Sequence, residues 1–127
     1  MKKIYILFIA AALMGCEQKH SVEDQQKDQL FLYTKYKEVL AYIALEETTE
    51  DSKCATMGIG TDPCGNFKGY VSFPETTDRD EIEDIIEEYN NLEKKYNKRY
   101  SIESPCKKIA PPKEAIVFRG SCKAVFN

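Results

Sequence analysis

Residues 78–100 read DRDEIEDIIEEYNNLEKKYNKRY, and this stretch decides the fold. Ile82, Ile85, Ile86, Tyr89, Leu92, Tyr96 and Tyr100 recur at steps of three and four residues. That period puts them on one face of an α-helix. Thr77 or Asp78 can cap its start, with Asp80 or Glu81 three residues on closing a capping box. Asp78, Asp80, Glu81, Glu83, Asp84, Glu87 and Glu88 crowd the first half; Lys94, Lys95, Lys98 and Arg99 crowd the second. The order complements the helix macrodipole. About three turns beyond one core stripe are too few for a coiled coil.

Working outward, residues 53–73 hold Cys54, Gly58, Gly60, Pro63, Cys64, Gly65 and Gly69. Gly and Pro at this density punctuate short strands, here Ala55–Ile59 and Gly69–Phe73, with Thr61-Asp62-Pro63 and Gly65-Asn66 as turns. Upstream, Leu32, Tyr36, Val39, Leu40 and Ile43 fall at i, i+4, i+7, i+8 and i+11, which predicts a helix over Leu30–Leu45 in preference to a strand through Val39–Leu45. The polar run Glu46–Ser52 ends it. Downstream, Ser104-Pro105-Cys106 breaks the second helix and Pro111-Pro112 holds an extended stretch. Ala115–Phe118 and Cys122–Phe126 then flank Arg119-Gly120-Ser121 as a terminal β-hairpin. The expected fold is α+β: a small two-helix domain with short antiparallel strands, stapled by two disulfides.

The chain has 127 residues, 43% hydrophobic and 31% charged, which suits one folded domain. Eighteen basic and 21 acidic residues give a net charge of −3. That balance argues against nucleic acid as a partner, since nucleic-acid binders show a basic excess or stripe.

Met1-Lys2-Lys3 is followed by the unbroken apolar run Ile4–Met14. Eleven residues span about 16 Å as a helix, short of the ~30 Å hydrocarbon core. A positive start, a short apolar stretch and a small residue at its end describe a secretory signal peptide. Leu13-Met14-Gly15-Cys16 resembles the lipobox of bacterial lipoproteins: an aliphatic residue, a tolerant position, Gly or Ala, then Cys. The resemblance covers residues 1–16. It implies cleavage before Cys16, a diacylglyceryl thioether on Cys16 and, in many bacteria, acylation of the new amine. Two or three acyl chains make a lasting anchor where one myristoyl chain is marginal. Glu17 is not Asp, the residue that favours inner-membrane retention in Gram-negative lipoproteins, so the expected address is the cell envelope, at the outer membrane. The expected organisation is a signal peptide over 1–15, a flexible tether over 16–29 that can run into the first helix near Glu23, and a single α+β domain over 30–127. Without residues 1–15 the chain has 16 basic and 21 acidic residues, a net charge of −5.

With Cys16 committed to lipid, Cys54, Cys64, Cys106 and Cys122 remain. An even cysteine count in an exported domain reads as a disulfide framework. Four cysteines allow three pairings; neighbour pairing, Cys54–Cys64 with Cys106–Cys122, is the default, and a crossed pairing would close longer loops. Zinc sites use tight pairs two to four residues apart, and no thioredoxin-type Cys-x-x-Cys occurs, so no metal is expected.

Little other chemistry is legible. Gly58-Ile59-Gly60 lacks the third Gly and the Gly-Lys-Ser/Thr of nucleotide loops, so no cofactor is expected. A Ser-His-Asp triad would need His20, the one histidine, which falls in the tether. The acids of residues 78–88 read as a solvated helix face, although a carboxylate pair for glycoside hydrolysis is a possible use. The eight Tyr could line a groove, but Tyr36, Tyr89, Tyr96 and Tyr100 lie on core stripes and packing explains them first. The layout Cys54, Gly60-Thr61-Asp62-Pro63-Cys64-Gly65, Tyr70, helix, Ser104-Pro105-Cys106, Pro111-Pro112, Gly120-Ser121-Cys122 is similar to small exported bacterial proteins of unknown function, and carries no activity with it. The expectation is therefore a non-enzymatic, lipid-anchored binding module with an envelope or secreted protein as partner. Its expected contact surface is the stapled loop Gly58–Lys68, with Gly58, Gly60, Asp62, Asn66 and Lys68 as binding residues. An inhibitor of a secreted hydrolase (protease or lysozyme) and a small hydrolase using carboxylates are the alternatives.

Overall fold

The computed structural model describes residues 20–127; the expected signal peptide and Cys16 lie outside the described residues. The chain runs α1 (Val22–Ala44), β1 (Cys54–Thr61), β2 (Phe67–Pro74), α2 (Arg79–Arg99), β3 (Glu114–Phe118) and β4 (Ser121–Val125). The α+β class, the two helices and the short antiparallel strands are as the sequence predicts. No helix among the described residues is long and apolar enough to cross a membrane.

The α2 stripe does what its period requires: Ile82, Ile86 and Tyr89 are buried, and Ile85, Leu92 and Tyr96 pack around them. Asp78 is the N-cap, its carboxylate accepting from Glu81 N at 3.2 Å, while Thr77 turns inward and is buried. In α1, Leu32 and Val39 are buried and Tyr36 and Ile43 pack beside them. Leu40 departs from that stripe and is 37% exposed. The helix starts at Val22, next to Glu23, where the tether is expected to run into it, so that the second half of residues 16–29 is helical. Ser21 caps it by accepting from Asp24 N. Polar contacts to α2 hold this otherwise hydrophilic turn: Asp28 accepts from Arg99 Nη1 at 3.0 Å and from Tyr100 Oη at 2.6 Å, and Gln25 Nε2 donates to Tyr96 Oη. His20 is not free; its Nδ1 accepts from Arg99 Nε and its ring meets Tyr100 edge-on.

β1 and β2 pair antiparallel, with Met57 opposite Val71 and Ala55 opposite Phe73. These residues and Ile59 face the helices and close the core with Phe73, Ile82 and Val39 at its centre. The opposite face carries the β3–β4 hairpin: Tyr70 meets Phe126, and Cys54 on β1 is bonded to Cys122 on β4. The β3–β4 connection is two residues, Arg119 and Gly120, both with positive φ (51° and 76°), the backbone of a type I′ turn. The molecule is thus three layers: helices, a two-stranded sheet, and a second two-stranded sheet.

Neighbour pairing of the cysteines is corrected. The bonds are Cys54–Cys122 and Cys64–Cys106, nested one inside the other, each with Cα atoms 5.7 Å apart. The physical reason is stacking. β4 lies against the first sheet, and the segment after α2 returns beside the β1–β2 turn, where Asn66 Nδ2 reaches Cys106 O.

Candidate binding groove

The expected contact loop is a tightly self-satisfied hairpin turn. Asp62 accepts at Oδ1 from Cys64 N and Asn66 N, both at 2.9 Å, and at Oδ2 from Asn66 Nδ2. Gly65 donates its N–H to Asp62 O and has φ +86°. Asp first, Pro second and Gly fourth are the residues this turn asks for. The N–H donors, Asn66 first, hold the Asp62 carboxyl below its usual range against a smaller opposing effect of desolvation. Asp62 and Asn66 are therefore occupied in shaping the turn. Gly58 is buried in β1 beneath the Phe67 ring, which a Cβ at that position would strike.

Gly60 and Lys68 lie elsewhere, in a groove bounded by α1, α2 and the end of the β1–β2 hairpin. One hollow of about 240 Å³ is lined by Tyr36, Ile59, Gly60, Lys68, Gly69, Tyr70, Tyr89 and Glu93. A second of about 440 Å³ shares Tyr36, Lys68, Tyr89 and Glu93 and extends to Gln25, Gln29, Tyr33, Tyr96 and Asn97. The space exists because Gly69 carries no side chain; a Cβ there would meet nothing within 4 Å.

The wall on the α2 side is a polar seam at three- and four-residue steps. Asn90 Oδ1 accepts from Gly60 N at 2.7 Å, Glu93 Oε1 from Thr61 N at 2.6 Å, and Asn97 Nδ2 donates to Thr61 O at 2.6 Å. This seam satisfies backbone groups where Gly60, at φ +79°, interrupts the β1–β2 ladder, which resumes at Thr61 opposite Phe67. Glu93 is 5% exposed, and its second oxygen accepts from Tyr89 Oη at 2.9 Å and faces Lys68 Nζ at 3.5 Å. Burial, then the bond to Glu93, pushes the Tyr89 hydroxyl well up, so it stays a protonated donor at neutral pH. Tyr36 packs against Tyr89 with ring centroids 5.7 Å apart.

The groove therefore combines aromatic surface with hydroxyl and amide tips, and its one acid and one base neutralise each other. Sequence reasoning found the tyrosines as core stripes; it missed Glu93, Asn90 and Asn97, whose i, i+3, i+7 spacing on an acidic helix was the available signal. Among the described residues no cluster of three or more His, Cys, Asp or Glu is arranged to hold a metal ion. No protein-family model, curated protein or solved structure matches this chain. Its own geometry therefore carries the functional reading.

Proposed function

We propose that this chain is an exported, lipid-anchored module of the cell envelope that binds without catalysing, and that the tyrosine groove holds its ligand. The anchor is the expected thioether at Cys16, and the two nested bridges suit an oxidising compartment. The observation that carries the binding reading is the hollow over Gly69, walled by Tyr36 and Tyr89 and rimmed by Gln25, Gln29 and Asn97. Concave, aromatic-lined hollows with a few convergent polar groups are the ordinary form of a ligand site. The ligand class it suits is a neutral oligosaccharide. A sugar ring offers a C–H face to an aromatic ring and hydroxyls to amide and phenol tips. Glycosidic hydrolysis fits less well, since it uses two carboxylates and Glu93 is the groove's one acid, already engaged by Thr61 N, Tyr89 and Lys68.

The test uses oligomers of N-acetylglucosamine as the probe. With no Trp in the chain, its emission is that of tyrosine, and five of the eight Tyr (Tyr33, Tyr36, Tyr70, Tyr89 and Tyr96) line the groove. Saturable quenching in the wild type, lost in Gly69→Val, is expected. A Val Cβ has room there and β-branched residues suit strands, so folding should survive. No saturable change, or an equal change in the variant, would refute the groove assignment.

A further inference from the structure

Charge is segregated along this chain. Residues 20–103 carry 10 Lys and Arg against 19 Asp and Glu, whereas residues 104–127 carry five against one, Glu114. The basic segment ends in the β3–β4 hairpin. Its inner face, with Val117, Cys122 and Ala124, packs towards the first sheet. Its outer face presents Ile116 at 43% and Phe118 at 47% exposure, with Lys123 directly opposite Ile116. The Arg119 guanidinium and the Lys123 ammonium stand 5.1 and 5.4 Å from the Phe118 ring centroid.

An exposed aromatic ring flanked by two cations fits a bilayer surface with anionic headgroups. The ring enters the boundary region while the long basic side chains reach phosphates. We propose that the β3–β4 hairpin is a second membrane contact, seated on anionic lipid through Ile116, Phe118, Arg119 and Lys123. Charge complementarity selects this occupant. The rest of the domain is acidic and would be repelled by the same surface, so the +4 segment sets which side faces the lipid.

The position of the hairpin gives the contact a geometric consequence. Gly120 and Ser121 border Leu40, Ile43 and Ala44, at the C-terminal end of α1. Cys16 lies six residues before Val22, at the other end of a helix about 34 Å long. The two attachments, the lipid before α1 and the hairpin near its other end, then fix the orientation of the domain on the bilayer. This orientation rests on the anchor proposed above; the charge and exposure of the hairpin are its own.

The test is acetylation footprinting of the protein purified from native membranes and mixed with neutral phosphatidylcholine vesicles or with vesicles containing phosphatidylglycerol. Lys94 and Lys95, exposed on α2, are internal references. On anionic vesicles, Lys123 should react about fivefold more slowly relative to them, the factor expected for one cation held near an anionic surface. Phe118→Ser together with Arg119→Ser should remove the slowing without touching the core, since both residues are exposed. Flotation with neutral vesicles reports the anchor separately. Protein that floats with both vesicles yet shows equal Lys123 rates would overturn the hairpin contact and leave the anchor standing. Protein that floats only with anionic vesicles, with Lys123 protected, would support the hairpin and remove the anchor. Flotation with neither would overturn both.

Discussion

Replacing Cys54 and Cys122 together by serine opens the outer of the two nested bridges. The cost follows from the loop each bridge closes. Taken alone, the outer bridge joins residues 68 apart. With Cys64–Cys106 intact, the circuit is shorter: ten residues from Cys54 to Cys64 and sixteen from Cys106 to Cys122. Chain entropy then assigns the outer bridge about 3.5 kcal/mol, against ~4.4 kcal/mol if the inner bridge is absent. The loss should not be spread evenly. The five-residue strands β3 and β4 form a two-stranded hairpin, which is marginal by itself, and this bridge is its covalent tie to the first sheet. Hydrogen exchange should therefore show β3–β4 amides opening at a free energy well below that of α2. Thermal or urea unfolding of the whole domain should lose about 3–4 kcal/mol. A double-serine variant with unchanged β3–β4 protection and a loss below ~1 kcal/mol would refute the reasoning. It would mean that packing alone seats the hairpin.

Other consequences can be checked on the same protein. Ile82→Ala removes a side chain with no exposure at the centre of the core and should cost about 2–5 kcal/mol in urea unfolding. Glu93→Ala leaves Thr61 N–H and the Tyr89 hydroxyl without their acceptor and should cost ~2–4 kcal/mol, with a shift of the Gly60 and Thr61 amide resonances. Asp62 has a folded-state pKa below its unfolded one, so its contribution is present above the unfolded value near 3.8 and is lost as pH falls through the folded value. The difference in melting temperature between wild type and Asp62→Ala should shrink as pH drops below about 4. A difference that grows under acid would contradict this. The Tyr100 hydroxyl is pushed up to about 12 by burial and by its bond to Asp28, so ultraviolet titration should show it ionising well after ordinary tyrosines.

The parts of the fold written in local pattern were legible. α2 announces itself by an apolar period, an Asp78 cap and opposed charge at its two ends, and it begins and ends within a residue of that reading. The two hairpins follow from turn chemistry: Asp62-Pro63 with Gly65, and Arg119-Gly120. What depends on contacts distant in sequence was not legible. The first turns of α1 contain one aliphatic residue, Val22, and are held by Arg99, Tyr100 and Tyr96, some 70 residues away. Cysteine spacing records nothing about which sheets stack, so the nested pairing appears only once the second hairpin lies on the first sheet. The groove is a similar case. Its tyrosines are visible as helix stripes, but the hollow needs Gly69 beneath them and Lys68 drawn across to Glu93.

The most direct test of the account is the intact mass of the protein taken from native membranes, before and after reduction with alkylation. The expected result is a chain starting at Cys16, carrying a diacylglyceryl or triacyl mass, with no cysteine alkylated until reductant is added and four thereafter. An uncleaved chain with five alkylatable thiols would contradict it, removing both the anchor and the oxidising compartment on which the binding module is argued.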